Sequence, residues 1–131
     1  MSLNDACSRL AALSDPVRLR MMALMHREGE LCVCELTHAL AIPQPKASKH
    51  LAILREAGLA RMRRDAQWAL YSLAPDADPW LAAVMAATAL QLDADPELVE
   101  DRRRLNGMSG RPERERSAAT AASCCAIPSS A

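Results

Sequence analysis

Three features of the chain predict a mostly helical fold with a β-hairpin wing, a winged helix-turn-helix. Asp-Pro steps mark helix starts, the hydrophobic period changes after Gly58, and positive charge is gathered into one block. The residue palette agrees. Half of the 131 residues are hydrophobic, yet Trp68, Trp80 and Tyr71 are the aromatics and Phe is absent, so the core rests mainly on Leu, Ala and Met, all good helix formers. This length suits one domain with a modest core and a short tail, and it excludes a large multi-domain enzyme.

Asp15-Pro16, Asp78-Pro79 and Asp95-Pro96 each place an N-cap carboxylate before a proline at the first helical position. With the N-terminal apolar run they predict helices over 3–13, 16–28, 79–92 and 96–105. The second carries Val17, Met21, Leu24 and Met25 on one stripe and stops near Gly29. Two shorter helices, 33–41 and 44–57, are separated by Ile42-Pro43-Gln44-Pro45, where the prolines forbid continuity. On the later one Ala47, Leu51 and Leu54 form the packing face, and Lys46, Lys49, His50 and Arg55 project elsewhere. After Gly58, residues 59–64 and 68–73 alternate in part around Asp65-Ala66-Gln67, which predicts a short hairpin. Residues 1–105 thus form the expected domain. The Gly, Ser, Pro, Ala, Arg and Glu composition of 106–131 predicts a largely disordered tail.

Lys plus Arg and Asp plus Glu both total 16, so the formal charge is zero. That balance hides a segregation: residues 44–64 hold six Lys or Arg against the single acid Glu56. Helix, turn, basic helix and basic hairpin place the second helix in a major groove and the hairpin over phosphates; the competing reading is a solvated basic face. Gln44, Lys46, Ser48 and Lys49 are expected at base edges or phosphates, His50 at either, and Arg61, Arg63 and Arg64 as phosphate clamps. One such module buries little DNA, whereas a two-fold dimer reads half-sites about 34 Å apart. The segment PWLAAVMAATALQL at 79–92 is apolar nearly all round. With the first helix it is assigned to a dimer interface, against the alternative of a buried central helix. The expected partners are double-stranded operator DNA and a second copy of the chain, with no membrane and no small-molecule substrate.

The five cysteines, the lack of an export-type leader and the lack of a run of about 20 apolar residues lead to the expectation of a cytoplasmic protein. Closely spaced cysteines there point to metal, redox or nucleophile chemistry. In Glu30-Leu31-Cys32-Val33-Cys34-Glu35-Leu36, Glu35 stands three residues after Cys32, so a thiol fills the slot of a capping-box hydroxyl. A thiol at a helix N-terminus is poised toward thiolate, a ligand for soft ions. Positions i and i+2 of a helix lie about 200° apart, so Cys32 and Cys34 share an ion only if Cys32 lies outside the helix or the first turn unwinds. The bland alternative is a pair of buried cysteines acting as small hydrophobes.

The chain resembles the ArsR/SmtB family of metalloregulatory repressors, its arsenic-sensing branch in particular, over about residues 8–92. The resemblance is carried by LSDPVRL at 13–19, ELCVCEL at 30–36, SKHL at 48–51 and LREAGL at 54–59. It implies a homodimeric winged-helix repressor that leaves its operator when trivalent arsenic or antimony binds Cys32 and Cys34. The ion would be an inducer, and no permanent cofactor is expected. Where some family members have a third cysteine, this chain has Thr37. Cys7 is then a candidate third ligand, by analogy with cadmium- and lead-sensing relatives. The vicinal Cys124 and Cys125 of the tail are others. Two protein thiolates suit an arsenical that already carries a carbon substituent; inorganic arsenite more readily uses three. The family's zinc site needs His on the dimerisation helix, and no His follows His50. The remaining alternatives are a thiol-redox trigger, cadmium or lead response, and a small thiol-dependent reductase. The chain lacks a Cys-x-x-Cys beside a βαβ pattern and a Gly-rich phosphate loop, so no enzyme is expected.

Overall fold

Local capping starts most of the helices of the computed structural model, which describes residues 1–74 and 78–112. The order is α1 (Leu3–Leu13), α2 (Pro16–Glu28), β1 (Glu30–Cys32), α3 (Val33–Leu40), α4 (Gln44–Glu56), β2 (Ala60–Asp65), β3 (Trp68–Leu73), α5 (Pro79–Gln91) and α6 (Pro96–Asn106). Ser2 and Asp5 form a capping box on α1. Asp15 Oδ2 accepts from the N–H groups of Val17 at 2.9 Å and Arg18 at 3.1 Å, and Asp95 caps α6 through the N–H of Glu97. Asp78 precedes α5 in the same way but makes no side-chain cap. Its carboxylate instead lies 3.5 Å from Arg9 of α1, an ion pair that local sequence grammar does not reveal.

The central helix is α2, which touches α1, α3, α4, α5 and α6 as well as β1 and β3. Met21, Met22, Leu24 and Met25 are buried on it, against Leu36, Ala39 and Leu40 of α3 and Ala47, Leu51 and Leu54 of α4. Methionines suit this hub because their unbranched chains fill irregular gaps between helices that meet at different angles. Gly29, at φ +90°, ends α2 in a conformation that L side chains rarely adopt.

The expected hairpin is present, β2 pairing with β3 from Ala60↔Leu73 to Asp65↔Trp68. A third strand, absent from the sequence expectation, completes the sheet in the order β1-β3-β2. It pairs Glu30↔Ser72, Leu31↔Tyr71 and Cys32↔Leu70. Three residues are too few to show a period-two pattern, and their strand character comes from the β3 edge they meet.

The carbonyls at the end of α3, which have no partner within the helix, are held from α2 and α6. Arg20 donates to the Leu40 carbonyl at 2.9 Å and Arg104 to that of Ala39 at 2.7 Å. Both guanidiniums also bind buried Asp101, Arg20 in bidentate fashion at 3.0 and 2.8 Å and Arg104 at 2.9 Å. Packing continues past residue 105, the expected domain limit, because Met108 lies on the core and Arg111 pairs with Glu28 and Glu35. Cys124 and Cys125 lie outside the described residues. Among those residues no helix is long and apolar enough to cross a membrane.

Candidate functional site

The helix α4 follows α3 across a turn in which Ala41 takes a left-handed conformation, φ 56°. Ala47, Leu51 and Leu54 lie against the core, which leaves Gln44, Lys46, Ser48 and Lys49 exposed together on the opposite side of the N-terminal half. Arg61, Arg63 and Arg64 are exposed on β2. Arg55 shares with Arg61 an open groove of about 520 Å³ between α4 and β2, which adds to the basic surface a cation that the candidate DNA contacts did not include. The signal was present in its phase on α4, away from the packing face.

Two candidate DNA contacts have other partners. Arg63 donates from Nε and NH2 to the two carboxylate oxygens of Glu30, at 2.5 and 2.7 Å. Its charge is therefore partly neutralised by β1, and it braces the sheet as well as facing solvent. His50, expected at a base or a phosphate, is buried, 7% exposed, with its ring against Arg18 of α2. Its Nδ1 lies 3.0 Å from Arg18 NH1 and 3.9 Å from Asp15 Oδ2. Burial first, then the charges of Arg18, Lys49 and Lys46, outweigh Asp15 and push its pKa below the ordinary value. A neutral ring can accept from Arg18 on Nδ1 and carry its proton on Nε2. Arg18 also donates to the Ala12 carbonyl at 2.5 Å. Residues from α1, α2 and α4 thus meet at one polar junction. For Asp15, burial opposes the charge, but the Arg18 N–H, the Arg18 charge, His50 and the Val17 N–H together hold its pKa below the usual carboxylate value.

The two sensor-candidate cysteines lie at the other end of the helix-turn-helix. Cys32 ends β1 and is the N-cap of α3 in an extended conformation, φ −82° and ψ 164°. It is therefore outside the helix, and the 200° separation of helical i and i+2 positions does not apply. Cys32 is buried and Cys34 half-buried. Cys32, Trp68 and Leu70 form a small cluster apart from the main core, with Cys34 packed against it. Glu35 Oε1 accepts from the Cys32 N–H at 2.9 Å, while Arg111 Nε donates to Oε2 at 2.6 Å. The carboxylate that caps α3 is thus itself held from beyond α6.

Among the described residues no three His, Cys, Asp or Glu side chains cluster to hold a metal ion. Cys7 is exposed on α1, which packs on α2 and α4, and no such cluster joins it to Cys32 and Cys34. Cys32 is disulfide-bonded; in the reduced protein it and Cys34 offer two soft donors from adjoining elements, one anchored in the sheet and one in the first turn of α3. That donor set suits a thiophilic ion.

Residues 15–61, which span α2, α3, α4 and the first residues of β2, match the family described as bacterial regulatory protein, arsR family. The chain is 50% identical over 102 residues to the arsenic resistance transcriptional regulator ArsR1 of Pseudomonas putida, covering 77% of each. It is 43% identical to ArsR2 of the same organism, over 79% of this chain and 89% of that one. The transcriptional repressor BigR from Xylella fastidiosa has a similar structure, with TM-score 0.62 and 32% identity over 71% of this chain and 88% of that one. The hairpin wing, the exposed basic helix and these likenesses agree: the chain belongs to the arsR family and is a winged helix-turn-helix transcriptional regulator rather than an enzyme.

Proposed function

We propose that the protein is a homodimeric repressor that releases its operator when trivalent arsenic or antimony binds Cys32 and Cys34. The observation that carries the reading is the position of the pair. Cys32 is the N-cap of the helix that supports α4 and is also paired with Leu70 in the wing strand β3, so an ion drawing the two sulfurs together acts on both DNA-facing elements. The arsenic resistance regulators at 50% and 43% identity support the inducer class.

Dimerisation fits the exposed apolar residues. On α5, Leu81, Met85 and Ala89 face the core, whereas Trp80 and Leu90 are exposed, Leu90 at 78%. On α1, Leu3 and Leu10 are also exposed. A second copy covering these faces would set two α4 helices for two half-sites. Residues 1–105 carry both the DNA-reading and dimerising surfaces in this reading, and Cys7, Cys124 and Cys125 are candidates for further thiolates.

A switch from 99:1 to 1:99 needs about 5.5 kcal/mol of differential affinity. Loss of one helix cap supplies about 0.5–2 kcal/mol, which is too little. The remainder comes from moving β1 against β3 and from disturbing the Glu35 link to Arg111. DNA and ion then weaken one another by linkage. Fluorescence anisotropy of the reduced protein on a labelled duplex from its own upstream region tests this. Arsenite releases the duplex and zinc does not; binding that is indifferent to arsenite refutes the inducer.

A further inference from the structure

Of the three arginines on β2, Arg63 is the one that acids hold. Its Nε and Nη2 form a fork on the two carboxylate oxygens of Glu30, at 2.5 and 2.7 Å, and its Nη1 lies 4.0 Å from Asp65 Oδ2. Among the described residues Arg61 and Arg64 make no ion pair. Two carboxylates thus face one guanidinium, and its charge is already answered inside the protein. The fork of parallel N–H donors that Glu30 occupies is the one that a phosphate also seeks.

The strand register shows where the holding acid comes from. Glu30 pairs with Ser72 and Ser72 with Arg61, whereas Cys32 pairs with Leu70 and Leu70 with Arg63. Residues in register, and residues two apart on one strand, share a face of the sheet. Glu30, Cys32, Arg61 and Arg63 therefore lie on one face, and the ion pair runs diagonally over β3 from the Ser72 row to the Leu70 row. The straight route, from Glu30 to Arg61, is not taken. Arg61 and Arg63 thus form an internal comparison on one strand and one face, the second held by β1 and the first without an ion pair among the described residues.

We propose that Glu30 occupies on Arg63 the place of a DNA phosphate, so that a duplex must take this arginine from β1 before the wing grips fully. Glu30 is then a positioning residue, one that tempers DNA affinity through Arg63 without touching DNA. This rests on the reading of the wing as a phosphate-binding element and deepens it. The exchange breaks the two charge-assisted hydrogen bonds to Glu30 and makes their equivalents to a phosphate. A carboxylate that has given up Arg63 takes up a cation from solution, which offsets part of the counterion release that the phosphate contact brings. Because Glu30 stands two residues before Cys32 on the same short strand, the strand that carries the candidate ion site also sets how much charge the wing offers.

Anisotropy of the full-length protein on a labelled duplex from its own upstream region, over a series of salt concentrations, tests this. Glu30→Gln keeps the shape of the side chain and removes its charge. It is expected to tighten DNA binding about threefold, the scale of an exposed ion pair. The logarithm of affinity is expected to fall more steeply with the logarithm of salt, by up to about 0.9, the share of one phosphate contact. In an Arg63→Gln background the same substitution is expected to change neither quantity. An equal gain in both backgrounds is general charge repulsion and overturns the proposal. Weaker binding by Glu30→Gln also overturns it, because Glu30 then supports Arg63 in the complex instead of withholding it. A second measurement uses the wild-type side chains. With ¹⁵N-arginine labelling, the Arg63 Nε–H signal, assigned as the one missing in Arg63→Lys, is expected to move when the duplex is added; a signal that stays in place shows that Glu30 keeps the fork and overturns the exchange. Arg61→Gln is expected to lower the salt slope by about 0.9 whether or not Glu30 is replaced. No change there shows that the wing does not touch phosphate, and removes that reading together with this proposal.

Discussion

The starts of α2 and α3 share one task and solve it in opposite ways. At α2 a carboxylate, Asp15, caps two backbone N–H groups and lies beside Arg18 and His50, so the cap also ties α4 to the centre of the fold. At α3 a cysteine, Cys32, occupies the same N-cap position, and Glu35 reaches back to its N–H. Thiols are weak hydrogen-bonding groups. The difference teaches that the helix-turn-helix is fastened by a carboxylate at the start of α2 and carries soft sulfur at the start of α3, where the proposed ion site lies.

The largest effect expected from this contrast is at the soft end. Cys34→Ser should raise the arsenite concentration that releases DNA at least about a hundredfold, equivalent to about 2.7 kcal/mol, with DNA affinity in the absence of arsenite unchanged by anisotropy. Loss of unliganded DNA binding would instead make Cys34 a structural residue. At the fastened end, Asp15→Ala removes a double cap and the carboxylate beside His50. The expected loss is about 1–2 kcal/mol in urea unfolding, with weaker DNA binding and no change in arsenite affinity.

A smaller effect follows from protons. The fold depresses the proton affinity of His50, so the unfolded chain binds more protons in the window below the ordinary His value of about 6.5. Stability therefore rises with pH through that window and is lost as pH falls, and two cations meet where Arg18 donated to a neutral ring. Urea midpoints measured from pH 7.5 down to 5.5 should fall in wild-type protein and fall less in His50→Gln; parallel curves would remove His50 from this role. The smallest effect has the opposite sign. Cys32→Ser supplies the hydroxyl that the N-cap lacks, and it should stabilise the reduced domain by about 0.5 kcal/mol while abolishing release by arsenite. A destabilised variant would show that the sulfur is needed for packing against Trp68 rather than tolerated as a cap.

Much of the fold was legible because helix starts are local. The expected spans of α1 and α2 agree with the structure, and those of α3, α4, α5 and α6 agree to within one residue, since Asp-Pro steps, Gly29 and the 43–45 turn act over a few residues. The same locality explains why Cys32 could be recognised as an N-cap from Glu35 three positions on. The strand β1 was not legible, because its three residues are ordered by a wing about forty residues later in the chain. The environment of His50 was not legible either. Its place on α4 reads as part of a basic face, and only the approach of Arg18 turns it inward.

By itself, then, the sequence determined the element order, the basic block of α4 and the wing, and the pairing of thiols at the head of α3, because capping, proline punctuation and charge segregation act along the chain. Tertiary structure alone decided that Cys32 is stitched to the wing through Leu70, that Arg63 is partly neutralised by Glu30, that His50 is buried beside Arg18, and that the Trp68 N–H is left without an acceptor. Each of these depends on groups brought together across the fold, and burial and pairing have no value until that approach has been made.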